Sequence, residues 1–362
     1  MAKFNRRRLL LSGLTVGVAG TAIAQSVQAQ TAQPSLDSAN NQLTSDTIDA
    51  IFGTDGDSPG TNQIHTNQPS VSLTPATIAY DRAMSKVLIL CSYLGLEQFE
   101  RGVSDARYNG AIRELKSFSS ELAKYTQVAT FTVTLDATTT LLPNLRPLGN
   151  RIIQRVVNPR RVFIGFALAS ESNNIIVFRG TSNPKEWIAN FQARQSNYIQ
   201  SGIARGKVHT GFLRLYDQLA DQVRRVANQL NPALPCFITG HSLGGALATL
   251  AAADLAQNNR TLKRQVQLYS YGAPRVGDLS FAKFFSAIAP NSYRVLNLAD
   301  IVPMVPPSNL RGEEYSHIGQ EWVFLDYAGG DVAASHATTL YQLAINNQIE
   351  TNQLPSFPTA CK

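Results

Sequence analysis

A serine set between glycines, Gly240-His241-Ser242-Leu243-Gly244, follows the apolar run Cys236-Phe237-Ile238 and precedes an alanine-rich stretch, residues 246–257. Read as strand, tight turn and helix, this setting lifts the Ser242 hydroxyl over the end of a sheet, and the glycines let strand and helix backbones approach. The helix opening at Leu243 aims backbone N–H groups and the positive end of its dipole at the same spot. A serine held this way does nucleophilic chemistry: it attacks an acyl carbonyl and carries the acyl group as a covalent intermediate. It needs a base to take its proton and a carboxylate to orient that base.

In elbows of this kind the partners follow in the order serine, acid, histidine. That order sets aside His65, His209 and His241 and leaves His317 and His336. His317 stands before the short apolar run at residues 322–325, on the wrong side of a strand, and reads as structural or surface. His336 follows that strand, where a loop can bring its imidazole over Ser242. The acid should end a strand. Asp300 directly follows Val295-Leu296-Asn297-Leu298-Ala299, whereas Asp278 follows a longer loop with Pro274 and Asp254 lies well along a helix. Asp326 and Asp331 lie further from such a position. Asp300 is therefore the expected acid. An oxyanion needs a second donor besides the Leu243 N–H, and Arg179-Gly180-Thr181 supplies one through Thr181 unless it is an ordinary strand-end turn. Trp187-Ile188-Ala189-Asn190-Phe191 reads as a short apolar helix. It is either a lid, with Trp187, Ile188 and Phe191 over the pocket, or a helix docked on the core.

The elements that must hold these residues alternate. Helices are expected over residues 83–95, 111–125, 211–229, 246–257, 280–288 and 336–346, and strands over 161–169, 175–178, 236–239, 265–271, 292–298 and 322–325. The first two strands join through Glu171-Ser172-Asn173-Asn174 as a hairpin. The remaining alternation argues for a mostly parallel sheet with helices on both faces.

Residues 1–29 have a basic head (Lys3, Arg6, Arg7, Arg8), a glycine-rich apolar middle and the small-residue end Val27-Gln28-Ala29. This is the pattern of an export signal, with the paired arginines of the twin-arginine type; an uncleaved anchor is the competing reading. The mature protein is thus expected in the periplasm or outside the cell. Residues 30–75 are polar and bury too little to fold, so they read as a linker or arm. Residues 76–347 form the catalytic domain and 348–362 a tail. Without the signal's four positive charges the formal charge drops from +7 to +3, too little to argue for nucleic acid. The arginines at 146, 151, 155, 160 and 161 form either a solvated basic face or a surface drawn to anionic lipid. Of three cysteines, Cys236 sits in a buried strand. Cys91 and Cys361 remain as a candidate bridge, with two free thiols the alternative. No Cys/His cluster has metal-ligand spacing, and nothing calls for a cofactor.

Five blocks taken together resemble the class 3, or fungal-type, lipases. They are Val177-Phe178-Arg179-Gly180-Thr181, Val208-His209-Thr210-Gly211-Phe212, Gly240-His241-Ser242-Leu243-Gly244-Gly245, Tyr271-Gly272-Ala273-Pro274-Arg275-Val276-Gly277-Asp278 and Asp300-Ile301-Val302-Pro303. They run in family order within residues 80–346. The resemblance implies an α/β-hydrolase fold, a triad of Ser242, Asp300 and His336, an oxyanion hole at Thr181 and Leu243, and a lid at Trp187. It implies a non-catalytic His317, through Tyr315-Ser316-His317-Ile318-Gly319, and places Cys91 and Cys361 where fungal members carry a bridge. The implied activity is hydrolysis of lipid acyl esters at an interface. Phospholipase or galactolipid acyl hydrolase is the alternative substrate class, and a silent lipid-binding homologue the alternative outside enzymes.

Overall fold

The computed structural model describes residues 74–135, 160–181, 194–310, 312–326 and 332–347. The expected signal, nearly all of the arm, the lid segment at Trp187, Ile188 and Phe191, and the C-terminal tail with Cys361 lie outside these residues. Five β-branched or aromatic runs become core strands: β3 (Asn174–Phe178), β6 (Cys236–His241), β7 (Val266–Tyr271), β8 (Ser292–Asn297) and β11 (Gln320–Phe324). They are mutually parallel, in that order. β1 (Thr126–Leu135) and β2 (Arg160–Ala169) extend the sheet antiparallel beyond β3. A second hairpin, β4 (Gln195–Gln200) with β5 (Ile203–His209), stands apart, as does the small β9–β10 pair (Asn309–Leu310, Glu313–Glu314). Neither β1 nor the β4–β5 hairpin is foreseen above.

Every residue of β3, β6, β7 and β8 is buried, as in parallel strands covered on both faces. Alternation divides them between two layers. Ile175, Val177, Phe237, Tyr269, Tyr271, Tyr293 and Val295 pack with helices α1 (Arg82–Ser104) and α7 (Thr338–Asn347). On the other face runs α4 (Leu243–Asn258), buried over nearly its whole length. Each such aliphatic or aromatic side chain contributes about 1.5–3 kcal/mol on burial. The register is level along the top of the sheet: Phe178 is opposite Gly240, His241 opposite Tyr271, and Tyr271 opposite Val295. Consequently the residues that follow these strands leave from one edge.

Two expected helices differ. Residues 111–125 form only 3₁₀ turns at Ile112–Glu114 and Ser120–Leu122. Here the Glu97 carboxylate, from the preceding helix, takes the amides of Lys116 and Ser117, and the Ser119 hydroxyl takes that of Glu121, so side-chain acceptors compete with the helical ladder. The helix expected over 211–229 breaks at Gln218 into α2 (Thr210–Asp217) and α3 (Ala220–Ala227). With the break in place, Tyr216 and Arg224 both reach the fully buried Asp254 carboxylate. The remaining helices are α5 (Leu279–Ile288) and the short α6 (Val332–Ser335). Among the described residues no helix is long and apolar enough to cross a membrane.

The chain enters the domain as a strap under the amino ends of the strands. Asn291 Oδ1 accepts from the amides of Thr77 and Ile78, and Tyr80 packs among Tyr269, Tyr293 and Trp322. It leaves along α7, where Arg82 bonds the Ile345 carbonyl. Cys91 and Cys236 are buried free thiols, and the expected partner of Cys91 lies outside the described residues.

Candidate active site

Ser242 stands between β6 and α4 with φ 58° and ψ −126°, a conformation disfavoured for any residue with a Cβ. Close packing imposes it. A Cβ on Gly240 would lie 2.3 Å from the Gly244 carbonyl, and one on Gly244 would lie 2.2 Å from the Phe178 oxygen. Strand and helix therefore touch backbone to backbone, and the connecting residue must take the sharp turn. The turn also decides what the hydroxyl does. A serine at a helix N-cap ordinarily accepts from the second or third helical amide. Asp278 at the start of α5 and Asp81 at the start of α1 do so, but Ser242 makes no such bond. Its hydroxyl is left uncommitted beside the opening residue of the helix, Leu243.

The acid and the imidazole come from the neighbouring strand ends. His336 Nδ1 and Asp300 Oδ2 are 2.6 Å apart, both side chains essentially without solvent exposure. The carboxylate is further held by the Tyr341 hydroxyl, which donates to Oδ2 at 2.6 Å, and by the Val302 amide, which donates to Oδ1 at 2.8 Å. Burial first, and then the charge of Asp300, push the Tyr341 phenol well above its usual pKa, so it stays a donor. His336 lies over the elbow: its ring centroid is 4.5 Å from that of His241, the residue before Ser242.

Eleven buried side-chain N or O atoms among the described residues have no hydrogen-bond partner, and five of them gather here: Arg179 Nε, Thr181 Oγ1, His241 Nε2, Ser242 Oγ and His336 Nε2. Unsatisfied buried polar atoms are costly and rare, so such a concentration marks a place built to meet something else. Thr181 follows β3 on the same edge. A Cβ on the adjoining Gly180 would come within 3.5 Å of the Ser242 Cβ. Arg179 fills the space beneath, its guanidinium over the Phe99 ring at 3.9 Å and donating to the Gly180 carbonyl; burial lowers its pKa to about 10.

The other candidates are engaged elsewhere. Asp278 caps α5, and Asp254 pairs with Arg224. His317 bonds the Pro303 carbonyl. Burial, then the charges of Arg294 and Arg275, hold its pKa well below the ordinary histidine value. Three contributors were not foreseen. Tyr341 is one. His241, set aside as a base, packs against His336, with its Nδ1 at 3.1 Å from the Thr338 hydroxyl; burial and then His336 lower its pKa strongly. Asn297, fully buried at the end of β8, donates to the carbonyls of Asp326 and Ser335 and so ties the loop before His336 to the sheet. Among the described residues no group of His, Cys, Asp and Glu could hold a metal ion.

Comparison with known proteins gives a consistent picture. Residues 175–310 match the family described as Lipase (class 3). Secreted mono- and diacylglycerol lipase 1 of Fusarium solani is 38% identical over 136 residues, 37% of this chain and 39% of that one. Phospholipase A1-IIgamma of Arabidopsis thaliana is 31% identical over 185 residues, 44% of this chain and 43% of that one. The chain thus spans about two fifths of the length of these relatives. The solved lipase of Rhizopus microsporus var. chinensis superposes with TM-score 0.51 at 26% identity, over 75% of this chain and 85% of that one. The fold is the α/β-hydrolase fold.

Proposed function

We propose that the chain, whose residues 175–310 match the class 3 lipase family, is a serine hydrolase that cleaves acyl esters of lipids through an acyl-enzyme. In this reading Ser242 Oγ attacks the ester carbonyl. His336 Nε2 takes the hydroxyl proton and then delivers it to the departing alcohol oxygen. Water repeats the sequence to release the fatty acid. Asp300 holds the Nδ1–H tautomer and stabilises the imidazolium. Thr181 and the Leu243 amide receive the oxyanion. The observation that carries the reading is the pairing of an uncapped elbow serine with an Asp300–His336 couple at 2.6 Å on the same sheet edge.

The deciding experiment uses Ser242→Ala. It should abolish cleavage of p-nitrophenyl esters and labelling by a fluorophosphonate probe; a variant that still labels removes Ser242 from the mechanism. Failure of the parent chain to label would favour the silent lipid-binding homologue. A plant phospholipase A1 among the relatives keeps phospholipid, and with it galactolipid, as the second substrate class. Rates on triglyceride, phospholipid and galactolipid emulsions separate them. Export through the twin-arginine signal at residues 1–29, to the periplasm or beyond, completes the reading, with a lipid surface as the transient partner. Location outside the cell is supported by a relative whose own name calls it secreted.

A further inference from the structure

A second concave site lies at the opposite end of α4 from Ser242. Asn258 closes that helix, about 24 Å along its axis from the serine. There β4, α2 and α3 border a cleft of about 620 Å³, a volume in the range of ligand pockets. Such pockets are mostly apolar, yet of the ten residues lining this one only Leu213 and Ile199 are aliphatic. Its floor is a fixed network. The fully buried Asp254 carboxylate takes Nε and Nη2 of Arg224, the Tyr216 hydroxyl at 2.7 Å and the Asn258 amide at 2.7 Å. The same Asn258 amide donates to Gln200 Oε1 at 2.6 Å and so ties the hairpin to α4. One group stays outside the network. The Tyr198 hydroxyl neighbours Gln200 but has no hydrogen-bond partner of good geometry, and its buried ring is held edge-on to Phe281. A buried orphan hydroxyl is costly. Burial raises its pKa, so it keeps its proton and can both donate and accept.

We infer that this cleft binds a neutral saccharide. Neighbouring ring hydroxyls are gripped by planar end groups with two polar atoms: carboxylate, carboxamide and guanidinium. Five of the ten lining residues end in such a group, namely Asn197, Gln200, Asn258, Asp217 and Arg224. Together they offer donors and acceptors, as a hydroxyl requires. Asn258 spends its amino group on Asp254 and Gln200, which leaves its carbonyl oxygen for a ligand. Leu213 and Ile199 supply apolar surface for the C–H face of a sugar ring. Other ligand classes fit worse. An anion would find the Arg224 charge already met by Asp254, with Asp221 3.6 Å away and Asp217 also near. A metal ion would find the Asp254 oxygens taken. A planar base would need an open ring face to stack on, and both tyrosines of the cleft are buried. The inference goes beyond the ester-hydrolase reading and does not depend on it.

The probes are lactose, cellobiose and chitobiose, titrated by calorimetry into the Ser242→Ala chain so that binding is read without turnover. At least one should bind saturably. Tyr198→Phe should weaken that binding about threefold to tenfold, the worth of one neutral hydrogen bond, and Asp217→Ala at least about tenfold, because a charged acceptor is lost. Tyr198→Phe carries a second readout. Removing an orphan hydroxyl should leave the melting of the free chain unchanged or raise it. A hydroxyl bonded within the protein would lower it, and that result overturns the assignment. Pelleting with phosphatidylcholine vesicles, with and without digalactosyldiacylglycerol, separates the sources of sugar. Pelleting that needs both the galactolipid and Tyr198 assigns a lipid headgroup, whereas binding confined to the dissolved disaccharides assigns a free or polymeric glycan. Binding of none of these probes, binding indifferent to both substitutions, or binding of inorganic phosphate in their place overturns the inference.

Discussion

Gly244→Ala carries the sharpest quantitative expectation. The new methyl carbon would sit 2.2 Å from the Phe178 carbonyl oxygen and 2.8 Å from the Arg179 carbonyl, all backbone atoms, whereas real Cβ contacts essentially never fall below 3.0 Å. No side chain can rotate away, so α4 must retreat from β3 by at least about 0.8 Å. Overpacking of this sort costs about 1–3 kcal/mol of stability. The catalytic loss should be disproportionate, because α4 carries Leu243 and β3 leads into Thr181, the two groups proposed to face one oxyanion. A misplacement near 1 Å costs roughly 10²-fold in rate. Thermal unfolding and kcat on a dissolved p-nitrophenyl ester are measured together. The expected result is a folded protein with a Tm lowered by several degrees and kcat down about a hundredfold. A variant with parental kcat would refute the claim that backbone contact between β3 and α4 sets the site.

Tyr341→Phe removes a hydrogen bond to a buried carboxylate and leaves the Asn297 amide, now bonded to the phenol at 3.1 Å, without an acceptor. It should cost about 2–4 kcal/mol of stability and reduce kcat more than it raises KM; unchanged melting and kcat would count against it. Thr181→Val keeps volume but not the hydroxyl and should lower kcat by about 10² with little change in melting, while Thr181→Ser retains most activity. Stability should also depend on acidity. His241 and His317 have folded-state pKa values well below 6.5, so below that value the unfolded chain binds protons that the folded chain refuses. Their contribution is complete above about pH 6.5 and erodes on acidification, by up to about 1.4 kcal/mol per pH unit for each histidine. Denaturant midpoints from pH 7.5 to 5 should fall, and His317→Gln should flatten the slope; a parallel curve would remove His317 from the account.

The candidate site was legible where local backbone chemistry dictates its geometry. Glycines on both sides of Ser242, after an apolar strand and before a small-residue helix, admit essentially one turn, and Asp300 follows from its place at the end of such a strand. What could not be read depends on contacts between distant segments. Tyr341 reaches Asp300 from α7, and Asn297 reaches Ser335 across the sheet edge; no spacing along the chain encodes either. The helix expected over residues 111–125 failed because Glu97, nearly twenty residues earlier, captures two of its amides. β1 escaped notice because its alternation, Thr126 to Leu135, is that of a half-covered edge strand rich in threonine. The β4–β5 hairpin is short and polar, with little of the apolar signal that marks a strand.

The strap at Thr77–Ile78 and the contact of Arg82 with Ile345 have a consequence for orientation. From its start beside His336, α7 runs about 10 Å to the Ile345 carbonyl that Arg82 bonds, beside the point where the strap enters. Asn291, which anchors the strap, precedes the first residue of β8, whereas Asp300 follows its last. A group joined directly to residue 74 would therefore depart from the pole opposite the serine. A cargo, tag or solid support attached there should leave the opening turned outward and unobstructed.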